Sequence, residues 1–274
     1  MTSPRISIIL PACNAGRFLR KSLDSVLKQT YPDFELMICD DASTDDTADI
    51  LAEYAARDMR VKILRNSVRS GVARTLNKLL SAAECPLIAR MDADDICEPE
   101  RLERQVGFLE AHPQVSFLGS QLLIIDESDA VVGRRFYPSG YDDICRSMLI
   151  RNSFAHPSMV MRRDSVMMLG GYREIRGAED YDLWMRALNY GFRMENVDEA
   201  LLRYRISSGQ EKKRNLKPTL RATLSLQRKY LFNRRFFTFK AFFAVALEHL
   251  LLCLPDAVIM KLFVSVTYAS ADEK

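Results

Sequence analysis

The chain has 274 residues, of which 48% are hydrophobic and 27% charged. That balance makes a packed globular protein and excludes a disordered one. A net charge of +3 argues for no polyanionic partner by itself. The six cysteines, at 13, 39, 85, 97, 145 and 253, form no Cys-x-x-Cys pair. This disfavours a zinc site or a disulfide framework and favours a reducing cytosol.

The N-terminal Met-Thr-Ser-Pro-Arg leads straight into a short apolar run and lacks the longer segment of a signal peptide. Residues 5–10 predict a buried strand stopped by Pro11, and 17–29 a helix with apolar spacing at Phe18, Leu19, Leu23, Val26 and Leu27. Residues 34–39 predict a second strand ending in Asp40-Asp41. Ser43 or Thr44 caps a helix over 45–57, whose first turn carries Asp45 and Asp46, where the helix dipole favours them. A third strand at 61–64, a helix over 72–83, a fourth strand at 86–91 and a helix from Glu98 follow. Four alternations predict an α/β protein, a mostly parallel sheet covered by helices on both faces. Beyond residue 113 the pattern blurs. Residues 115–125 read as one or two strands, 126–153 as mixed, 156–163 as a strand, 181–190 as a helix and 201–205 as a last short strand.

Ligands bind off the carboxyl ends of strands in such sheets. Three polar turns fall there, at 11–16, 40–45 and 92–95. In the last, a buried strand runs into Asp92, Asp94 and Asp95. Carboxylates so placed are costly unless a cation neutralises them, and two Asp spaced i, i+2 on extended chain point the same way. They can share one hard cation such as Mg²⁺, which binds through one or two carboxylates plus substrate phosphates. A lone Asp-x-Asp is also a common acidic turn, so the pair gains weight only from the rest of the chain.

The residues 8–14 (Ile-Ile-Leu-Pro-Ala-Cys-Asn), 25–35, 40–45 (Asp-Asp-Ala-Ser-Thr-Asp), 71–77, 89–95 (Ala-Arg-Met-Asp-Ala-Asp-Asp), 179–184 (Glu-Asp-Tyr-Asp-Leu-Trp) and Tyr204-Arg205 resemble the family 2 glycosyltransferases. These are inverting enzymes of the GT-A fold, which is Rossmann-like. The resemblance spans roughly 5–210. It implies that Asp41 reads the base edge of a uracil-type nucleotide, that Pro11 and Asn14 line the same pocket, and that Arg74 touches ribose or phosphate. It also implies that Asp92 and Asp94 hold Mn²⁺ or Mg²⁺, with Asp94 the direct ligand, that Asp180, beside Glu179, is the general base, and that Arg205 lies near the diphosphate. Many relatives carry a His two residues after this arginine; here that position is Ser207. The chemistry agrees with these roles. Cleaving a sugar–diphosphate bond builds charge that a Lewis acid offsets, and inversion needs a carboxylate to take the acceptor's proton. Blander readings stand beside them. Glu179 and Asp180 can cap the next helix, Trp184 reads as core, His156 bonds locally, Arg205 can be an ion-pair partner, and Asp40 orders its turn.

From 212 to 247 there is no acidic residue but ten Lys or Arg, followed by a Phe- and Leu-rich segment at 236–254 and a second apolar one at 257–268. The first is about long enough to cross a bilayer core of ~30 Å, but Lys240, Glu248 and His249 make spanning costly. Basic flank plus aromatic helices read as lying on an anionic membrane surface. Nucleic-acid binding leaves the Phe/Leu block unexplained, so no nucleic acid is expected. Packing on the catalytic domain, or a homodimer contact, is the competing use. The expected layout is a glycosyltransferase domain over 1–210 and a helical, membrane-associating extension over 211–274. The protein would sit in the cytoplasm, peripheral on the inner face of the membrane, and move a sugar from a nucleotide-sugar donor to a lipid-linked glycan in surface or exopolysaccharide assembly. A nucleotidyltransferase would want a Gly- and basic-rich first loop, not Pro-Ala-Cys-Asn-Ala-Gly. Against a membrane scaffold with a decayed site stand the intact Asp92, Asp94 and Asp180, while Ser207 mildly favours it.

Overall fold

The computed structural model describes residues 5–206, 216–252, 254 and 269–270. Ser207, the 210/211 boundary, the basic residues 212–214 and the second apolar segment at 257–268 lie outside them.

The first half follows the expected alternation, with boundaries within a few residues, as helix and strand ends usually allow. It comprises β1 (Ile6–Ala12), α1 (Gly16–Leu27), β2 (Phe34–Asp40), α2 (Thr47–Arg57), β3 (Val61–Arg65), α3 (Val72–Ala82) and β4 (Leu87–Arg90). β1 pairs in parallel with both β2 and β4, and β2 with β3. β1 and β2 are central and covered on both faces, so nearly every residue in them is buried. That is why they read as continuous apolar runs rather than alternating ones.

After β4 the sheet becomes mixed. The elements are β5 (Ile96–Cys97), α4 (Arg101–Ala111), β6 (Val115–Ile125), β7 (Val131–Arg135), α5 (Tyr141–Ser147), a 3-10 turn at His156–Ser158, β8 (Val160–Arg162), α6 (Arg163–Met168), α7 (Glu179–Tyr190) and β9 (Arg193–Arg205). The sheet order is β10-β7-β6-β8-β4-β1-β2-β3, where β10 is Ala269–Ser270; β9 pairs with β6 and β5. β8 joins the two halves by pairing antiparallel with both β4 and β6.

Three expectations need correcting. Neither Ser43 nor Thr44 caps the helix after β2: α2 starts at Thr47, Asp46 is its N-cap without a side-chain cap bond, and Asp49 is the acidic residue of its first turn. The stretch 156–163 is not one strand. Pro157 has no N–H for a ladder, so a 3-10 turn precedes a three-residue strand, and α6 starts at Arg163. The short last strand is the end of the 13-residue β9, which runs parallel to β6 with register shifts at Ser120/Gln121 and Gln121/Leu122. Its first part carries Arg193, Glu195, Asp198 and Glu199, which masks any apolar alternation.

Two further helices, α8 (Leu216–Tyr230) and α9 (Phe239–Leu251), follow. Leu224, Tyr230, Phe236, Ala241 and Val245 are buried in the same cluster as Trp184, Leu183 and Phe117, so one face of this pair packs on the catalytic body. Phe239, Phe243, Leu247 and Leu250, on the opposite side of α9, are each more than 60% exposed. No described helix is long and apolar enough to cross a membrane.

Candidate functional site

The polar turns at the ends of β1 and β2 are bonded to each other. Asn14 sits at a φ of 50°, its N–H donating to Ser43 Oγ at 2.9 Å and its Oδ1 accepting from the Thr44 N–H at 2.8 Å. The Gly16 N–H donates to Asp45 Oδ2, and the Ala15 N–H to Thr47 Oγ1. A Cβ on Gly16 would lie 1.7 Å from Asp46 Oδ1, so a side chain there would force the Asp46 carboxylate to move. Asp41 is 5% exposed. Its Oδ1 accepts from Asn66 Nδ2 at 2.7 Å and the Ser70 N–H at 2.8 Å, and its Oδ2 from the Gly71 N–H at 2.8 Å. Burial pushes its pKa up, but these donors more than offset that and hold it below the ordinary value. Roughly four lone-pair sites serve a carboxylate, so at most one is left for a base edge. A cavity beside it is lined by Ala42, Ser43, Thr44, Arg65, Asn66 and Ser67. Pro11 is half-buried on the same rim.

Just past β4, carboxylate oxygens of Asp92, Asp94 and Asp95 lie within 4.8 Å of one another. Asp95 Oδ1 accepts from the Arg205 N–H at 2.8 Å, while its Oδ2 is buried with no hydrogen-bond partner. Burial, then the charges of Asp92 and Asp94, push the Asp95 pKa well above the carboxylate range. Clustered hard oxygen donors with an orphaned carboxylate oxygen fit Mg²⁺ or Mn²⁺.

Arg205 is 1% exposed. Its Nε donates to the Asp94 carbonyl at 2.8 Å, its Nη1 to the Asp126 carbonyl at 2.7 Å, and its Nη2 pairs with Asp129 Oδ1 at 2.6 Å. Its guanidinium lies over the Phe18 ring. The side chain expected near the diphosphate is therefore spent beneath the aspartate turn, which it ties to the β6–β7 hairpin.

Glu179 and Asp180 open α7, where the helix dipole favours acidic groups. Burial raises both pKa values, that of Glu179 to about 6, with Asp180 adding to its shift. Asn152 Nδ2 donates to Asp180 Oδ2 at 3.0 Å and works the other way. The preceding loop is seated on α8, because a Cβ at Gly177 would meet Thr219 Oγ1 at 2.3 Å. Trp184 is fully buried against Phe117, Phe154 and His156, which makes it core. His156 shares a 2.9 Å hydrogen bond with Tyr172 Oη, and burial, then Arg90, keeps it neutral.

Arg90 connects the two carboxylate groups. It is 5% exposed, its Nη1 pairs with Asp92 Oδ2, and its charge acts on Asp95, Glu179 and Asp180. The structure thus brings Asp92, Asp94 and Asp95 together beside Arg90 and ties them to Arg205, while the Arg90 charge also favours the ionised forms of Glu179 and Asp180. Pro11, Asn14 and Asp41 form a neighbouring rim. Arg74 points elsewhere: it is exposed and pairs with Glu174 at 2.7 Å, linking α3 to the loop before Glu179. Arg90, Asn152 and Asp129 were not singled out from sequence. Arg90 had a signal, since it precedes Asp92 by two residues on one strand face. The other two are set by tertiary contact alone.

The profile for glycosyl transferase family 2 matches residues 7–169, more than half of the chain. EpsE of Bacillus subtilis strain 168, which carries the name of a glycosyltransferase, is 39% identical over 218 residues, covering 78% of this chain and 77% of its own. WfgD of Escherichia coli, named a UDP-Glc:α-D-GlcNAc-diphosphoundecaprenol β-1,3-glucosyltransferase, is 32% identical over 183 residues, 67% of this chain and 69% of its own. Among solved structures, residues 1–349 of S. aureus TarS in complex with UDP-GlcNAc superpose with a TM-score of 0.67 at 21% identity. That match covers 81% of this chain and 66% of TarS 1–349, and at this identity it speaks for the GT-A fold alone.

Proposed function

The chain belongs to glycosyl transferase family 2, a glycosyltransferase of bacterial polysaccharide biosynthesis, and on that footing we propose that it transfers a sugar, with inversion, from a UDP-linked donor to a lipid-linked glycan. The observation that carries the reading is a carboxylate cluster held against one buried arginine, whose charge also acts on a second acidic pair. Asp92, Asp94 and Asp95 lie at the end of β4, and Glu179 and Asp180 at the start of α7.

In this reading Asp92 and Asp94 hold Mg²⁺ or Mn²⁺, with Asp94 the closer ligand, and the cation, when bound, offsets charge on the departing diphosphate. Arg205 acts through Asp94, fixing its carbonyl so that the carboxylate keeps its direction. Asp180 takes the proton of the acceptor hydroxyl as that oxygen attacks C1. Its raised pKa makes it a stronger base than an ordinary Asp, and Asn152 orients it. Glu179 flanks it. Pro11, Asn14 and the loop held by Asp41 form the nucleotide wall, and Arg74 swings from Glu174 to the ribose or phosphate. The UDP and the diphosphate-lipid acceptor are read from the printed partners of TarS and WfgD together with this site.

The proposed location is the inner face of the cytoplasmic membrane. α9 supports it by presenting Phe239, Phe243, Leu247 and Leu250 outward, beside exposed Phe232, with Lys229, Arg234 and Lys240 nearby in sequence. Burying one such Phe or Leu stabilises by roughly 1.5–3 kcal/mol, independent of salt. Two experiments test the proposal. UDP release from a panel of UDP-sugars with a diphosphate-lipid acceptor should need Mn²⁺ or Mg²⁺ and stop in EDTA; release unaffected by EDTA sinks the metal role. The full chain should co-sediment with anionic vesicles, and Phe243→Asp with Leu247→Asp should abolish this; a chain that stays in the supernatant at low salt sinks the membrane role.

A further inference from the structure

We infer that the cavity between α5, the end of α7 and the α8–α9 turn receives the phosphate of an anionic phospholipid headgroup. The inference rests on the membrane reading above and deepens it by naming what that surface holds.

The α8–α9 turn is fixed to the catalytic body. Asn233 Nδ2 donates to Asn189 Oδ1 at 2.8 Å, and Asn233 Oδ1 accepts from the Arg235 N–H at 3.0 Å. The Asn233 carbonyl accepts from the N–H groups of Phe236 and Phe237, and the Phe236 ring is fully buried. Arg235 Nη1 donates to the Leu188 carbonyl, in the last turn of α7, where the helix dipole favours a cation. These bonds hold open a cavity of about 550 Å³, an ordinary size for a small-molecule site.

The charge of the cavity is one-sided. Arg146 of α5 and Arg234 and Arg235 of the turn line it, with Asp142 as the opposing carboxylate. Arg234 has no hydrogen-bond or ion-pair partner among the described residues. Arg146 meets Asp143 at 3.3 Å, but both side chains are largely exposed and the pair contributes little. Arg235 keeps guanidinium N–H groups beyond the one given to Leu188. Guanidinium forks match phosphate oxygens in geometry as well as in charge.

The neighbours of the arginines choose the source of the phosphate. The same turn carries Phe232, Phe237 and Phe239 in a row, the first two stacked with centroids 6.3 Å apart and the last two edge-on at 5.7 Å. Phe232 and Phe239 are 76% and 77% exposed. A soluble anion would account for the arginines and leave these rings without a role. Aromatic rings beside phosphate-binding cations suit the boundary between headgroups and acyl chains. Phe243 and Leu247 of α9 extend the apolar surface. α7 has 12 residues, so a headgroup held at its last turn sits roughly 18 Å along the helix from Glu179 and Asp180. That sets the acidic end of α7 at a fixed reach from an acceptor rooted in the same leaflet.

The test is co-sedimentation of the full-length protein with vesicles of neutral lipid and phosphatidylglycerol at physiological ionic strength, where distant charges are screened beyond about 8 Å. Arg146→Gln with Arg234→Gln should lower vesicle affinity ~10-fold or more. Lys229→Gln with Lys240→Gln removes the same charge from the same region outside the cavity and should lower affinity by no more than ~3-fold. Arg146→Lys with Arg234→Lys keeps the charge without the fork and should fall between the wild type and the Gln pair. Inorganic phosphate titrated calorimetrically into the protein without vesicles should give no saturable binding at millimolar concentration. Equal losses in the two Gln pairs overturn the headgroup site and leave the membrane reading standing. Tight binding of free phosphate that the Arg146 and Arg234 substitutions abolish makes this a soluble-anion site and overturns the lipid assignment. Absence of vesicle binding by the wild type overturns both readings.

Discussion

The rim formed by β1, β2 and α3 and the site between β4 and α7 are built on opposite electrostatic plans. On the rim, Asp41 receives three hydrogen bonds, Asn14 and Thr44 close on each other, and the Asp41 pKa is held down. Between β4 and α7, Asp95 Oδ2 and Arg90 Nε lack partners, and Glu179, Asp180 and Asp95 all have raised pKa values. A satisfied network is rigid and keeps its shape without a ligand. A frustrated one stores unfavourable energy that a ligand can relieve. The rim is thus pre-organised at the expense of little but sequence, whereas the site between β4 and α7 costs stability.

The sharpest way to break this comparison is at Asp92 and Asp94, the proposed metal pair. Asp94→Ala should abolish transfer and most metal-dependent nucleotide binding, measured by UDP release and calorimetry; full activity would show that Asp94 lies outside the chemistry. Next in size, Asp180→Asn should lower turnover by a factor of ~10² or more with little change in donor affinity, the usual scale for losing a positioned base. A collapse of donor affinity with turnover per bound donor preserved would make Asp180 a binding residue.

The frustrated half makes a prediction about stability with the opposite sign. Glu179 has a folded pKa of about 6, above the ordinary carboxylate range. Between about pH 4 and that value the folded state holds more protons than the unfolded, so its contribution to stability falls as pH rises through the window. Glu179→Gln should therefore be more stable than wild type at pH 7.5, by of order 1 kcal/mol or ~2–4 °C in melting temperature, with the gap closing near pH 4. A less stable variant at pH 7.5 would mean that the carboxylate is satisfied after all. On the rim, Asp41→Asn should do the reverse. Replacing a charged acceptor with an amide leaves the Ser70 or Gly71 N–H facing a donor, so stability should drop by roughly 1.5–3 kcal/mol at neutral pH. Differential scanning calorimetry of the two variants side by side checks the contrast directly. Smallest of all, Arg74→Ala removes an exposed ion pair and should leave the melting temperature unchanged; a large drop would make the Arg74–Glu174 bridge structural.

The sequence by itself determined what is local or ordered along the chain. Apolar runs such as 5–10 and 34–39, and helical spacing such as Leu19, Leu23 and Val26, located the first seven elements because burial on one face or both leaves a period that needs no partner to be read. The Asp-x-Asp turn and Glu179-Asp180 were legible because their chemistry is written in neighbouring residues. Tertiary structure alone decided the pairings between distant parts. β9 lies along β6 through backbone bonds that its charged first half conceals, and this places Arg205 against Asp95, 110 residues away. Arg74 and Glu174 meet between α3 and the loop before α7, and the Arg90 charge reaches Glu179 and Asp180 only once the chain has folded. α9 shows the same limit in apolar residues. Apolar residues lie on more than one side of it, and only packing decides that Ala241 and Val245 face the core while Phe239, Phe243 and Leu247 remain outside. The physical reason is common to all of these. A side chain's partner is chosen by the closure of the chain, and closure leaves no mark on the residues beside it.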